Sequence, residues 1–173
     1  HRSLSDAWTS RSRHHVEVRG LAPRHWRWRQ EASGWELARL VAGEAPPDVL
    51  VVSDFVDLPR LLGFLQAEWA GVPTIAYFHE NQLTYRPSDA RAAVPEDAHA
   101  AFANVLTAVR ADHVVLNSSF HRDDLADAGD RYLRTLPRPS PRAEFAAAMK
   151  SAHIVPPAPE LEAIPLGPGG PDG

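Results

Sequence analysis

Val72-Pro73-Thr74-Ile75-Ala76-Tyr77-Phe78 runs without a break into His79-Glu80-Asn81-Gln82-Leu83-Thr84-Tyr85. The first half is almost entirely apolar and rich in β-branched and aromatic residues. Such a run, followed abruptly by polar residues, fits a strand buried on both faces, as strands of a parallel sheet are. Two further runs have the same character: Asp48-Val49-Leu50-Val51-Val52 before it and Asp112-His113-Val114-Val115-Leu116 after it.

The segments between these strands have helical spacing. Asp57 caps a helix with Leu58, Leu61, Leu62 and Leu65 at i, i+3, i+4 and i+7, and Pro59 sits in its first turn, where a missing N–H costs little. Phe102, Val105, Leu106 and Val109 mark a second helix, and Leu125, Ala128, Tyr132 and Leu136 a third. Ser33-Gly34-Trp35-Glu36 has the form of a capping box and predicts a helix starting there, with Leu37, Leu40 and Val41 inward and Gly43 and Pro46-Pro47 as its stop. His15-Val16-Glu17-Val18 alternates like a short strand, His153-Ile154-Val155 like a last one, and residues 79–95 predict a long loop. Strands alternating with helices imply parallel strands joined by right-handed crossovers. The expected fold is therefore α/β, a Rossmann-like parallel sheet with flanking helices. The domain is expected over residues 1–155, with 156–173 as a Pro/Gly-rich linker or tail. A domain of this type normally opens on a strand and a glycine-rich turn. This chain opens on a helical pattern with Leu4, Ala7 and Trp8 on one face, so its first strand is expected to be missing.

Composition narrows the function classes. The absence of cysteine among 173 residues excludes disulfides, thiolate metal sites and a cysteine nucleophile, and is compatible with a cytoplasmic location. No apolar run approaches the roughly 20 residues of a membrane helix, so no membrane partner is expected. The formal net charge of −4 argues against a nucleic-acid binder by bulk charge. The charge is uneven, however: Arg2, Arg11, Arg13, Arg19, Arg24, Arg27 and Arg29 crowd the beginning of the chain. That cluster suits phosphates, or equally a solvated surface.

Ligands of open parallel sheets bind at the carboxyl ends of the strands. Ser53-Asp54, His79-Glu80-Asn81 and Asn117-Ser118 with His121 occupy three such exits. Ser53, Asp54 and Ser118 also suit helix caps, and His79 also suits a satisfied, half-buried position. The succession His79-Glu80-Asn81 nevertheless supplies an acid/base candidate, a carboxylate and an amide dipole together. The histidines lack tight metal-ligand spacing, and neither H-E-x-x-H, a P-loop nor G-x-S-x-G occurs; no metal is expected.

Tyr77 to Tyr85 resembles the signature of the tRNA-queuosine alpha-mannosyltransferase family. Three further stretches resemble the family's motifs in order: Pro23-Arg24-His25-Trp26-Arg27-Trp28-Arg29, Ser53-Asp54-Phe55-Val56-Asp57-Leu58, and Asn117-Ser118-Ser119-Phe120-His121-Arg122-Asp123. The resemblance covers about residues 1–155 and implies the N-terminal, acceptor-side half of a GT-B glycosyltransferase. It implies retaining transfer of mannose from GDP-mannose to queuosine in tRNA, with no metal and no cofactor in this chain. The C-terminal donor-binding domain is expected to be missing here. His79 and Glu80 take the catalytic role in this picture, with Asn81, Ser53, Asp54, Asn117, Ser118 and His121 as substrate-binding residues. Arg24, Trp26, Arg27 and Trp28 would meet nucleic acid, the arginines on phosphates and the indoles on bases; the indoles equally suit packing. Two alternatives stand beside this: a GT-B transferase acting on another acceptor (a small molecule, lipid or glycan), and a non-catalytic binding module.

Overall fold

The computed structural model describes residues 2–84 and 98–157, without the side chains of residues 2–4 and 26. Tyr85, most of the expected long loop and nearly all of the expected tail lie outside the described residues. The chain divides into two compact units, His1–Val18 with Pro156–Gly173, and Arg19–Val155. The first contains helix α1 (Arg2–Arg11). Residues 15–18 are not a strand; His15 and Glu17 instead pair with each other at 2.9 Å, both exposed. Alternation makes a strand only where a neighbour takes up its hydrogen bonds, and no described strand does so here.

The second unit runs α2 (Trp26–Leu40), β1 (Leu50–Ser53), α3 (Leu58–Phe64), a 3₁₀ turn (Ala67–Trp69), β2 (Thr74–Phe78), α4 (Ala98–Arg110), β3 (His113–Leu116), α5 (Ser119–Thr135), α6 (Arg142–Ser151) and β4 (His153–Ile154). The strands form one parallel sheet in the order β1-β2-β3-β4. This is the expected Rossmann-like arrangement of a parallel sheet flanked by helices. Register sets Val52 beside Ala76 and Ala76 beside Val114. With Phe78 and Leu116, these residues form one buried face of the sheet, packed in a common core with Leu58, Leu61, Val105 and Leu125 from the helices. No helix among the described residues is long and apolar enough to cross a membrane.

Two buried threonines tie the layers together. Thr74 Oγ1 donates to Asp112 Oδ2 at 2.7 Å and accepts from the Asp112 N–H at 3.0 Å, clamping the starts of β2 and β3. Thr107 Oγ1 donates to the Val56 carbonyl at 3.0 Å and accepts from the Leu58 N–H at 3.1 Å, tying α4 to the β1–α3 turn. Asp57 caps α3 as expected, accepting from the Arg60 N–H at 3.0 Å.

The structure corrects the sequence reading at two helices. Helix α2 starts at Trp26, seven residues before Ser33, behind a left-handed His25 (φ 54°). Ser33 is an interior residue that donates back to the Gln30 carbonyl at 3.0 Å, and Glu36 pairs with Arg29 instead of closing a capping box. The motif is satisfied by chemistry one turn away from where its spacing points. Helix α6 was not anticipated, because its inward face consists of only Phe145 and Met149 among alanines. That pair at i, i+4 is enough, since Phe145 fits against Gly129 of α5, where a Cβ would strike its ring.

A second close approach joins α2 to α3. A Cβ on Gly34 would stand 2.6 Å from the Leu61 backbone nitrogen, which cannot swing aside. Gly34→Ala is expected to lower stability by about 1–3 kcal/mol through overpacking. Gly63→Ala, whose Cβ would meet nothing within 4 Å, serves as the control. Urea unfolding of both variants checks this, and equal midpoints would contradict the close approach.

Candidate functional site

The three expected strand exits converge. Ser53 ends β1 beside Tyr77, and Phe78 ends β2 beside Leu116. The next residues, Asp54, His79 and Asn117, therefore leave the sheet at the same carboxyl edge. The Asp54 N–H donates to the Tyr77 carbonyl at 3.2 Å, so the chain is still in register as it turns away.

Asp54 is 2% exposed and its carboxylate lies 2.5 Å from His79 Nδ1, a contact closer in distance than in alignment with the ring N–H. The same oxygen accepts from the His79 backbone N–H at 3.4 Å. Asn104, reaching from α4, donates to the Asp54 carbonyl at 2.6 Å. On the other side, Asn117 Nδ2 donates to the His79 carbonyl at 3.2 Å. His79 is thus held by its side chain, its N–H and its carbonyl. Its ring lies nearly parallel to that of Tyr77, with centroids 6.3 Å apart.

Asn117 Oδ1 accepts from Ser118 Oγ at 3.2 Å and faces His121 Nδ1 at 3.0 Å. Ser118 caps α5, its hydroxyl accepting from the His121 N–H at 3.1 Å. Asn81 donates to Asp124 at 2.7 Å and accepts from the Leu83 N–H at 3.0 Å, and Thr84 joins the same Asp124 oxygen at 2.9 Å. The polar atoms of Asn81, Asn117 and Ser118 are therefore engaged within the protein and build the wall of the site. Ser53 contributes its carbonyl to the turn, accepting from the Val56 N–H at 3.0 Å. Glu80 is exposed beside His79.

The two histidines sit in opposed environments. For His79, burial disfavours the imidazolium most strongly of any single influence. The hydrogen bond and charge of Asp54, with the charge of Glu80, together outweigh it and raise the pKa above the ordinary value. For His121, burial wins. Asp54, the Glu80 backbone and Asp124 favour its charged form, His79 opposes it, and the pKa falls. His121 Nε2 is buried without a hydrogen-bond partner.

The residues singled out for nucleic acid lie elsewhere, on α2 and its lead-in. Arg24 and Arg27 are exposed and Trp28 is 61% exposed; the Trp26 side chain lies outside the described residues. Asn104 and Asp124 escaped the sequence reading. For Asn104 the signal was present, as a polar residue on the same helical face as Ala101, Val105 and Ala108. Asp124 carried none beyond its proximity to His121. No cluster of three or more His, Asp or Glu side chains suited to a metal occurs among the described residues.

A family profile described as the N-terminal part of tRNA-queuosine alpha-mannosyltransferase matches residues 1–158. A Drosophila melanogaster protein named tRNA-queuosine alpha-mannosyltransferase is 31% identical over 121 residues, which are 70% of this chain and 31% of that protein. The chain thus spans about a third of the length of this curated relative. No solved structure matches.

The opposed environments make a testable pair. In a proton NMR titration His79 is expected to titrate above about 6.5 and His121 below it. The stability that His79 contributes is complete below its unfolded pKa and is lost as pH rises through the folded one. His121 contributes in the opposite sense, fully above its unfolded pKa, with loss as pH falls through the folded one. Asp54→Asn should bring the His79 pKa below the ordinary value, because burial then dominates. A His79 pKa unmoved by that substitution would refute the role of Asp54.

Proposed function

Since this chain belongs to the tRNA-queuosine alpha-mannosyltransferase family, through its N-terminal part, we propose that it forms the acceptor-side half of a retaining GT-B glycosyltransferase. The enzyme it belongs to transfers mannose from GDP-mannose to the cyclopentenediol of queuosine in tRNA. A C-terminal domain supplies the donor site, and the reaction takes place in the cleft between the two, in the cytoplasm. The observation that carries this reading is the His79 ring, clamped by Asp54 at the carboxyl edge of the sheet, where open α/β folds bind their ligands.

The chemistry follows from what the clamp leaves available. A carboxylate only accepts, so Asp54 favours the proton on His79 Nδ1, and Nε2 is the ring nitrogen that meets the substrate. The neutral ring accepts a proton from a hydroxyl of the sugar or the acceptor; the protonated ring donates to one. The raised pKa favours the protonated, donating form relative to an ordinary histidine. Glu80, exposed next to it, orients a hydroxyl or stabilises positive charge developing at the anomeric carbon. Asn81, Ser53, Asn117, Ser118 and His121 shape the wall on which the substrate lies. Arg24 and Arg27 meet phosphates of the RNA, and Trp26 and Trp28 stack on bases. No protein nucleophile is assigned.

The test uses the full-length protein, in which this chain is joined to its donor domain, with GDP-mannose and queuosine-containing tRNA. His79→Ala and Glu80→Gln are each expected to lower the rate of mannose transfer about 100-fold to 1,000-fold, the range for removing one preorganised group at a reacting centre. Wild-type rates in Glu80→Gln would remove Glu80 from the mechanism. Transfer to another acceptor, with none to queuosine-containing tRNA, would overturn the proposed substrate.

A further inference from the structure

The outward side of α2 carries more than the residues nearest the site. Trp28, Glu31, Trp35 and Arg39 follow one another at spacings of three, four and four residues, which places them in one stripe along the helix. Trp28 is 61% and Trp35 42% exposed. The guanidinium carbon of Arg39 lies over the Trp35 ring, 5.2 Å from its centroid. Glu31, the acidic member, is paired with Arg60 at 3.2 Å, so its charge is answered within the protein.

The arginines around this stripe fall into two groups. Arg19 pairs with Glu44, Arg29 with Glu36, and Arg60 with Glu31 and Asp57. Arg24 and Arg39 are exposed and have no carboxylate partner among the described residues. The stripe is therefore net positive and aromatic. The Arg39 guanidinium lies over the Trp35 indole at cation–π distance.

The helix is also anchored to the element that follows the site. Ser33 Oγ accepts from the Asp57 N–H at 3.3 Å, and Gly34 abuts Arg60 and Leu61 one turn further along α3. These contacts set the middle of α2 against the start of α3, which begins at the carboxyl edge of the sheet, just past Asp54. From Trp28 to Arg39 the stripe is about 16 Å long, the length of about five stacked nucleotides.

We infer that this side of α2, from Arg24 through Trp28 and Trp35 to Arg39, is a track for the backbone of an RNA. Arg24 and Arg39 bind phosphates, Trp28 stacks on a base, and Trp35 is the positioning residue beneath the Arg39 guanidinium. Charge complementarity selects RNA over a second copy of this chain, because a copy would set the unpaired guanidinium of Arg39 against a positive stripe like its own. The inference rests on an RNA acceptor, and it extends the contact along α2 to Trp35 and Arg39.

Fluorescence anisotropy of a labelled tRNA, titrated with the 173-residue chain, tests it. Arg39→Gln should weaken binding about threefold to tenfold and make the slope of log affinity against log salt shallower by about 0.7–0.9, the loss of one phosphate contact. Trp35→Ala should reproduce that loss and Trp35→Phe should largely restore binding, with unchanged melting temperatures for all three. Wild-type affinity and salt slope in both Arg39→Gln and Trp35→Ala would overturn the track. So would a shift in sedimentation from dimer to monomer with RNA binding untouched, which would make this face an interface between copies. A protein that binds RNA through α2 but fails to transfer mannose would count against the transfer reading and not against the track.

Discussion

The Asp54 carboxylate, almost wholly removed from water, faces the ring of His79 across the exits of two parallel strands. A carboxylate in such a place is tolerated only if it is paired and hydrogen-bonded; leaving one partner of a buried pair alone costs about 3–5 kcal/mol. That demand organises the carboxyl edge. β1 and β2 must leave the sheet in register for the two side chains to meet. Asn104 must come from α4 to take the Asp54 carbonyl, and Asn117 must come from β3 to take that of His79. Four elements are committed to one imidazole.

The same arrangement explains why two histidines of one site behave differently. His79 faces a buried carboxylate with an exposed one beside it, and favours its proton. His121 has an amide oxygen on Nδ1 and no partner on Nε2, and favours the neutral ring. A pair of titratable groups pushed apart by their surroundings is a pattern of functional sites, because it supplies a proton carrier and a neutral wall side by side. In the proposed transfer His79 exchanges the proton and His121 keeps the cleft wall uncharged.

Much of this was legible in the residues and part of it was not. The four strands of the sheet, the Asp57 cap and the three polar exits follow from apolar runs and local chemistry, and the structure has them where the pattern points; the alternation at residues 15–18 pointed to a strand that does not form. Asp54 was visible as an exit residue, but its burial depends on the parallel register, a long-range property with no local signature. Ser33 misled because a helix N-terminus and a helix interior can share the same four residues; the Gly34 contact with α3 decided between them. Helix α6 was missed because two buried residues among alanines make a weak periodic signal, although Gly129 leaves room for Phe145. The family resemblance rested on ordered motifs, and the profile match over residues 1–158 shows that it was sound.

The central claim is that the buried Asp54 carboxylate holds the proton on Nδ1 of His79. Two-bond ¹H–¹⁵N correlation of the imidazole nitrogens, recorded well above the His79 pKa, reads this directly. The account predicts a protonated, pyrrole-like Nδ1 and a bare, pyridine-like Nε2. A bare Nδ1 with the proton on Nε2 would contradict it.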